Sequence, residues 1–196
     1  EMTSSLVGSE MCIRDRTECS DREGMTMEMW FSEFHTPDVK HSIRVNRQLY
    51  SRQSEYQRID IFETPEFGRV LTLDGNVMLT ERDEFIYDEM ITHVPMSVHK
   101  EAKDILVIGA GDGGVVRELT RYDRVRHIDL VEMDPMVVEA CRAYLPGNAC
   151  RLDDRRVHLH YENALRFIRR CEAKYDLIIV DSSDPFGPSE LSLIHI

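Results

Sequence analysis

Acidic side chains set among glycines and serines carry most of the chemistry legible in this 196-residue chain. Asp181 and Asp184 stand three residues apart in Asp181-Ser182-Ser183-Asp184-Pro185, and Asp112 interrupts the cluster Gly109-Ala110-Gly111-Asp112-Gly113-Gly114. Two carboxylates so placed can grip an ammonium group and accept a proton from it, although a surface turn uses the same residue types. Gly109, Gly111 and Gly114 satisfy G-x-G-x-x-G, the spacing of a dinucleotide-binding turn. Asp112 argues against a pyrophosphate there, because two anions in a partly dry cleft repel. An acid inside the loop suits a positively charged ligand; alternatively it caps the following helix. Glu132 follows the loop by about 20 residues, where an acid typically accepts hydrogen bonds from ribose hydroxyls. Asn163 offers donor and acceptor groups for a base edge, or serves as a helix N-cap.

The elements that must position these residues follow from the apolar pattern. Residues 105–108 form a branched apolar run suited to a strand buried on both faces, and the glycine turn follows at once. Val115, Val116, Leu119 and Tyr122 then recur at helical spacing, completing the strand–glycine–helix order of a doubly wound sheet. Residues 128–131 predict a second strand ending at Glu132, and Asp134-Pro135 opens a helix lined by Val137, Cys141 and Tyr144 that Pro146-Gly147 closes. Residues 157–161 predict a third strand. Asn163 leads a helix striped by Ala164, Phe167, Ile168 and Cys171, and residues 177–180 form a fourth buried strand delivering Asp181. Strands alternating with helices imply a parallel sheet and an α/β fold.

Before this part, residues 30–80 read as β structure. Ile43 with Val45 and Ile59 with Ile61 keep the two-residue period of half-buried strands, residues 65–68 read as a turn, and Asp74-Gly75 is a hairpin signal. Thr80-x-x-Asp83 looks like a capping box opening a helix with an apolar face of Tyr87, Met90, Ile91 and Val94, which Pro95 ends. Met78, Met90, Met96 and Met136 read as core filler, and His93, His99, His158 and His160 as structural or surface residues without ligand-like spacing.

Composition narrows the partners. Hydrophobic residues make up 42% of the chain, and 24 Lys plus Arg against 36 Asp plus Glu leave a net charge of −12. That balance disfavours nucleic acid and attracts small cations. No membrane span or signal peptide is apparent, and five cysteines without C-x-x-C spacing indicate neither a disulfide framework nor a zinc site, so the cytoplasm is expected. Residues 1–24 and 191–196 have the look of translated adapter read-through and are expected to be non-native. The expected organisation is therefore a β domain over residues 25–80 and a Rossmann-like domain over 81–190 whose C-terminal part is missing, leaving this chain itself inactive.

Several motifs occur together in order: Tyr56-Gln57, Leu73-Asp74-Gly75, the T-E-R-D-E-F-I-Y-D-E-M run of residues 80–90, G-A-G-D-G-G, and the D-S-S-D-P-F-G-P run of residues 181–188. Their combination resembles the polyamine aminopropyltransferases of the spermidine synthase type, over nearly all of the natural segment. The resemblance implies a small antiparallel β domain before a methyltransferase-like Rossmann domain, in a homodimer or homotetramer. It implies transfer of an aminopropyl group from decarboxylated S-adenosylmethionine to putrescine, with no metal or other cofactor. Carried over by position, Gln57 and Asp112 would hold the aminopropyl-sulfonium end of the donor, Glu132 its ribose, Asn163 with Ala164 the adenine side, and Pro188 the nucleoside. Asp181 would take the proton, Asp184 would anchor the distal amine, and Tyr87 and Asp88 would line the diamine channel. The chain departs from the family pattern at Ala110, where glycine is frequent, at Asn163, where aspartate is frequent, and at Asp88, where histidine or glutamine is common. Two other readings of the residues stand beside it: a small-molecule methyltransferase using S-adenosylmethionine on the same fold, and a non-catalytic module that senses polyamines or nucleosides.

Overall fold

A computed structural model of the chain describes residues 27–182. Asp184, Pro188 and the terminal segments 1–24 and 191–196 lie outside the described residues. Two compact units divide between Arg82 and Asp83.

In the first unit, β1 (Met29–Thr36) and β2 (Val39–Val45) form an antiparallel pair. The strands β3 (Arg47–Gln53), β4 (Arg58–Thr64), β5 (Gly68–Leu73) and β6 (Asn76–Thr80) follow as an antiparallel meander in sequence order. Ile59, Ile61, Val70 and Leu71 are fully buried, and Phe31 packs on Phe62 with ring centroids 5.1 Å apart. The β5–β6 turn holds Asp74 at φ 49° and Gly75 at φ 82°, the doubly left-handed turn whose twist matches a hairpin. Asp74 also accepts a 2.8 Å hydrogen bond from the Arg58 amide, tying the turn to β4.

In the second unit, β7 (Asp104–Gly109), β8 (His127–Glu132), β9 (Val157–Tyr161) and β10 (Leu177–Asp181) form a parallel sheet in the order β10-β7-β8-β9. β7 lies inside it, and Ile105, Leu106, Val107 and Ile108 are all buried, as a strand covered on both faces requires. The helices are α1 (Glu84–Val98), α2 (Gly114–Leu119), α3 (Pro135–Tyr144), α4 (Pro146–Ala149) and α5 (Ala164–Arg170). Asp134 caps α3 by accepting from the Met136 amide at 3.0 Å, with Pro135 at the first helical position.

Several local expectations are corrected. Among the described residues β10 lies at the edge of the sheet instead of inside it: Ile179 is buried, but Ile178 and Val180 are exposed. Thr80 ends β6 instead of opening a helix; Asp83 stands at the N-cap of α1, and its side chain makes no capping bond. α1 runs through Pro95 to Val98, since a proline in the last turn removes only one amide from the ladder. α2 stops at Leu119, so Tyr122 lies beyond it, and Pro146 begins α4 instead of only ending α3. Of the four methionines read as core, Met96 is buried while Met78 and Met90 are exposed.

The largest correction concerns the rotation of α1. Its buried stripe is Asp88, Thr92 and Met96, while Tyr87, Met90 and Val94 are exposed. Residues four apart share one helix face, so the buried stripe is set about one residue's turn from the apolar one. Charge pairing to α2 accounts for this setting. Arg117 of α2 donates to both oxygens of Glu84, at 3.0 and 2.8 Å, and to Glu118 at 2.9 Å. His93 of α1 bonds the Tyr122 hydroxyl at 2.8 Å and Glu118 at 3.1 Å.

Candidate active site

The four strands of the parallel sheet end on one side, and each delivers polar side chains there. β7 leads into the glycine loop with Asp112, β8 ends at Glu132, β9 leads to Asn163, and β10 ends at Asp181. This is the edge at which open α/β sheets bind ligands.

The glycines of the loop fit the acids around it. A β-carbon on Gly111 would stand 2.7 Å from Glu132 Oε2, and one on Gly114 would stand 1.8 Å from Asp88 Oδ2. Any side chain at either position would collide with a carboxylate. The glycines read from sequence as space for a ligand's backbone approach therefore first make room for the acids. Ala110 takes φ 57°, a left-handed conformation that L residues rarely adopt, and its amide donates to the Asp181 carbonyl at 3.2 Å. That bond and the β7–β10 ladder seat Asp181 beside the loop.

Each acid has a distinct setting. Asp112 Oδ1 accepts from the Gly114 amide at 2.9 Å and from Asn148 Nδ2 at 3.4 Å, so it does brace the start of α2. Burial still pushes its pKa above the ordinary carboxylate value. Glu132 Oε1 accepts from the Asp134 amide at 2.9 Å. Loss of water, with the Asp134 and Asp112 charges, raises its pKa to about 6 against the pull of the backbone amides. Asp181 also rises to about 6, through burial and the Asp112 charge. The Tyr87 hydroxyl donates to Asp181 Oδ1 at 2.8 Å and opposes that rise by stabilising the ionised form. Asp88 is 4% exposed and is pushed well above the carboxylate range by burial, then by Glu84 and Asp112, with Arg117 only partly compensating.

The sheet edge and α1 thus bring together Tyr87, Asp88, Asp112, Glu132 and Asp181. Asn163 Oδ1 accepts from the Leu165 and Arg166 amides at 3.0 and 3.3 Å, so it is the N-cap of α5, with Ala164 as the first helical residue. Gln57 belongs to the first unit, in the β3–β4 connection, where its amide donates to Ser54 Oγ at 3.0 Å. Sequence reading assigned no role to Glu84, Arg117 or Asn148, because their partners are brought to them only by the tertiary fold. It also gave His93 no ligand-like partner, yet the ligand atoms of His93, Glu89 and Glu118 lie within 4.8 Å of one another. The guanidinium groups of Arg117 and Arg121 already neutralise Glu118, at 2.9 and 2.6 Å, and the group reads as a tie between α1 and α2. His160, His127 and Tyr175 likewise converge on Asp129, at 2.6 to 2.8 Å.

A parallel sheet with a glycine loop after its first strand and acids at its strand ends defines an α/β protein of the Rossmann-like class. Within that class, residues 84–195 match the spermine/spermidine synthase domain and residues 29–81 the spermidine synthase tetramerisation domain. The chain belongs to the spermine/spermidine synthase family. It is 60% identical over 164 residues to the polyamine aminopropyltransferase of Lachnoclostridium phytofermentans, and 61% identical over 164 residues to that of Clostridium botulinum. Each match covers 84% of this chain and 58% of the relative, so the chain spans under two thirds of their length. Among solved structures it is similar to spermidine synthase from Thermotoga maritima, with 40% identity, a TM-score of 0.77, and coverage of 94% of this chain and 60% of that one. A spermidine synthase in complex with the transition state analogue AdoDATO matches with 40% identity and a TM-score of 0.79, covering 93% and 59% of the two chains. Among the described residues, no helix is long and apolar enough to cross a membrane.

Proposed function

We propose that the full-length protein is a cytoplasmic aminopropyltransferase, a homodimer or homotetramer, that makes spermidine and methylthioadenosine from putrescine and decarboxylated S-adenosylmethionine. The observation that carries this reading is the convergence of Asp88, Asp112, Glu132 and Asp181 on one glycine loop, with Tyr87 bonded to Asp181. Such a site suits a cationic donor and a cationic acceptor. It opposes a donor that keeps its carboxylate, which weighs against methyl transfer from intact S-adenosylmethionine.

The reaction forms one carbon–nitrogen bond and breaks one carbon–sulfur bond. An amine lone pair attacks the methylene carbon next to the sulfonium, and the electrons of the broken bond neutralise sulfur. The sulfonium is already an activated leaving group. An aliphatic amine of pKa about 10 is mostly protonated at neutral pH and cannot attack until it loses a proton. Asp181, with its pKa raised to about 6, is ionised at pH 7 yet closer in basicity to the amine than an ordinary aspartate, which suits a general base. In this reading Gln57 and Asp112 hold the aminopropyl-sulfonium end, Glu132 the ribose, Asn163 and Ala164 the adenine side, and Pro188 the nucleoside. Tyr87, Asp88 and Asp184 line the acceptor path, and holding both reactants fixes the line of attack.

The test supplies the full-length protein with each donor and a panel of amines and identifies the products by mass. Aminopropyl product and methylthioadenosine from the decarboxylated donor are expected; methyl transfer from the intact donor without them would refute the reading. Asp181→Asn is expected to cut turnover on the order of a hundredfold or more while donor affinity survives.

A further inference from the structure

α1 reaches the site with its first turn, and Arg117 of α2 fixes where that turn lies. Asp83 makes no capping bond there, and of the buried residues Asp88, Thr92 and Met96 only Met96 is apolar, in the last turn. Apolar burial thus holds the far end of the helix and not the end that carries Tyr87. Glu84, three residues before Tyr87, is instead clasped by Arg117, whose Nη1 and Nη2 donate to its two carboxylate oxygens at 3.0 and 2.8 Å. A fork on both oxygens fixes direction as well as distance. The guanidinium is itself preset: Nε donates to Glu118 at 2.9 Å, and the Gly147 carbonyl lies 3.5 Å from Nη1. α2 follows the glycine loop directly and buries Val115, Val116 and Leu119 completely. Arg117 therefore transmits the position of the loop to the start of α1.

We propose that Arg117 is a positioning residue for the general base: its fork on Glu84 sets the rotation of α1 that brings the Tyr87 hydroxyl to Asp181. The role of Asp181 as base rests on the aminopropyltransferase reading; the geometry of the clasp does not. The charged groups facing Arg117 are Glu84 and Asp88 of α1 and Glu118 and Arg121 of α2. Those acting on Asp181 are Asp112 of the glycine loop and Tyr87, and Arg117 hydrogen-bonds neither, so its influence on the base passes through α1. The lever is sensitive. A side-chain tip about 6 Å from a helix axis moves about 1 Å when the helix turns by roughly 10°. The Tyr87 hydroxyl stands 2.8 Å from Asp181 Oδ1, and a shift of that size away from it would break the bond. Tyr87 is exposed, so little packing around its ring would correct a turned helix.

Arg117→Lys tests this, because it keeps the positive charge on α2 but cannot fork both oxygens of Glu84. Glu84→Gln breaks the same clasp from α1 and serves where the lysine variant does not fold. Two measurements on the full-length protein read the result. The first is the pH titration of the Asp181 carboxyl band in the ligand-free protein, by infrared difference against Asp181→Asn, which needs no turnover. The second is the acid limb of kcat/KM for putrescine. Both should move upward by about one pH unit in Arg117→Lys, as they should in Tyr87→Phe. The rate loss should be about fivefold at pH 6 and fade as pH rises. In the Tyr87→Phe background Arg117→Lys should add nothing, because the two changes remove the same bond. A band and limb that stay in place, a loss equal at every pH, or a shift that adds to that of Tyr87→Phe would overturn the role of Arg117 and leave the reaction standing. A band that moves as expected, without aminopropyl product from any amine, would support the clasp and sink the reaction.

Discussion

Removing the Tyr87 hydroxyl should move the working pH of the site upward. Asp181 balances two opposing effects: burial and the Asp112 charge raise its pKa to about 6, and the 2.8 Å hydrogen bond from Tyr87 holds it down. A hydrogen bond to a charged group contributes about 1.5–3 kcal/mol, equivalent to roughly one to two pKa units if it acts on the ionised form alone. Tyr87 is 55% exposed, so water will replace part of the lost bond, and about one unit is the expected shift in Tyr87→Phe. The ionised fraction of Asp181 would then fall from about 0.9 to about 0.5 at pH 7, and from about 0.5 to about 0.1 at pH 6. The assay is the pH dependence of kcat/KM for putrescine in the full-length protein, which reports the free enzyme's essential base. Its acid limb should move from near pH 6 to near pH 7, with the rate loss roughly fivefold at pH 6 and about twofold at pH 7. An acid limb that stays in place, or a loss equal at every pH, would refute the assignment of Asp181 as the base held by Tyr87.

Other outcomes follow from the same geometry. Asp181→Asn should stabilise the ligand-free protein by about 1–3 kcal/mol at pH 8, because it removes a carboxylate that folding forces to ionise at a disadvantage. The sign follows from a folded pKa raised from 3.8 to about 6: the disadvantage grows as pH rises through that window and vanishes below it, so denaturant unfolding at pH 8 and pH 3.5 should show the gain only at the higher pH. Gly114→Ala should destabilise the protein and abolish donor binding by calorimetry, since its methyl group would fall 1.8 Å from Asp88 Oδ2 and force the acid out of place. Ala110→Gly should raise stability by about 0.5–1 kcal/mol, because relief of the left-handed strain exceeds the entropy that glycine loses on folding; an unchanged or lower unfolding midpoint would contradict that.

Much of the fold was legible because its determinants are local. The buried run of β7, the left-handed pair at Asp74-Gly75 and the caps at Asp134 and Asn163 depend on residues within one or two turns of themselves, so their types announce them. The acids at the strand ends were legible for the same reason, as each follows its strand directly. The rotation of α1 was not legible. Its apolar residues predict that Tyr87, Met90 and Val94 face inward, and tertiary structure instead buries Asp88, Thr92 and Met96. A helix's inner face is set by what it packs against, and here that partner is a glycine with Arg117 beside it, about 30 residues further on. The same holds for the site's chemistry. Tyr87 and Asp181 are 94 residues apart in the chain, and only folding puts the hydroxyl on the carboxylate. Sequence alone determined which acids stand at the strand ends. Tertiary structure decided which of them lose water and which find a donor, because burial and hydrogen bonding are properties of neighbours in space.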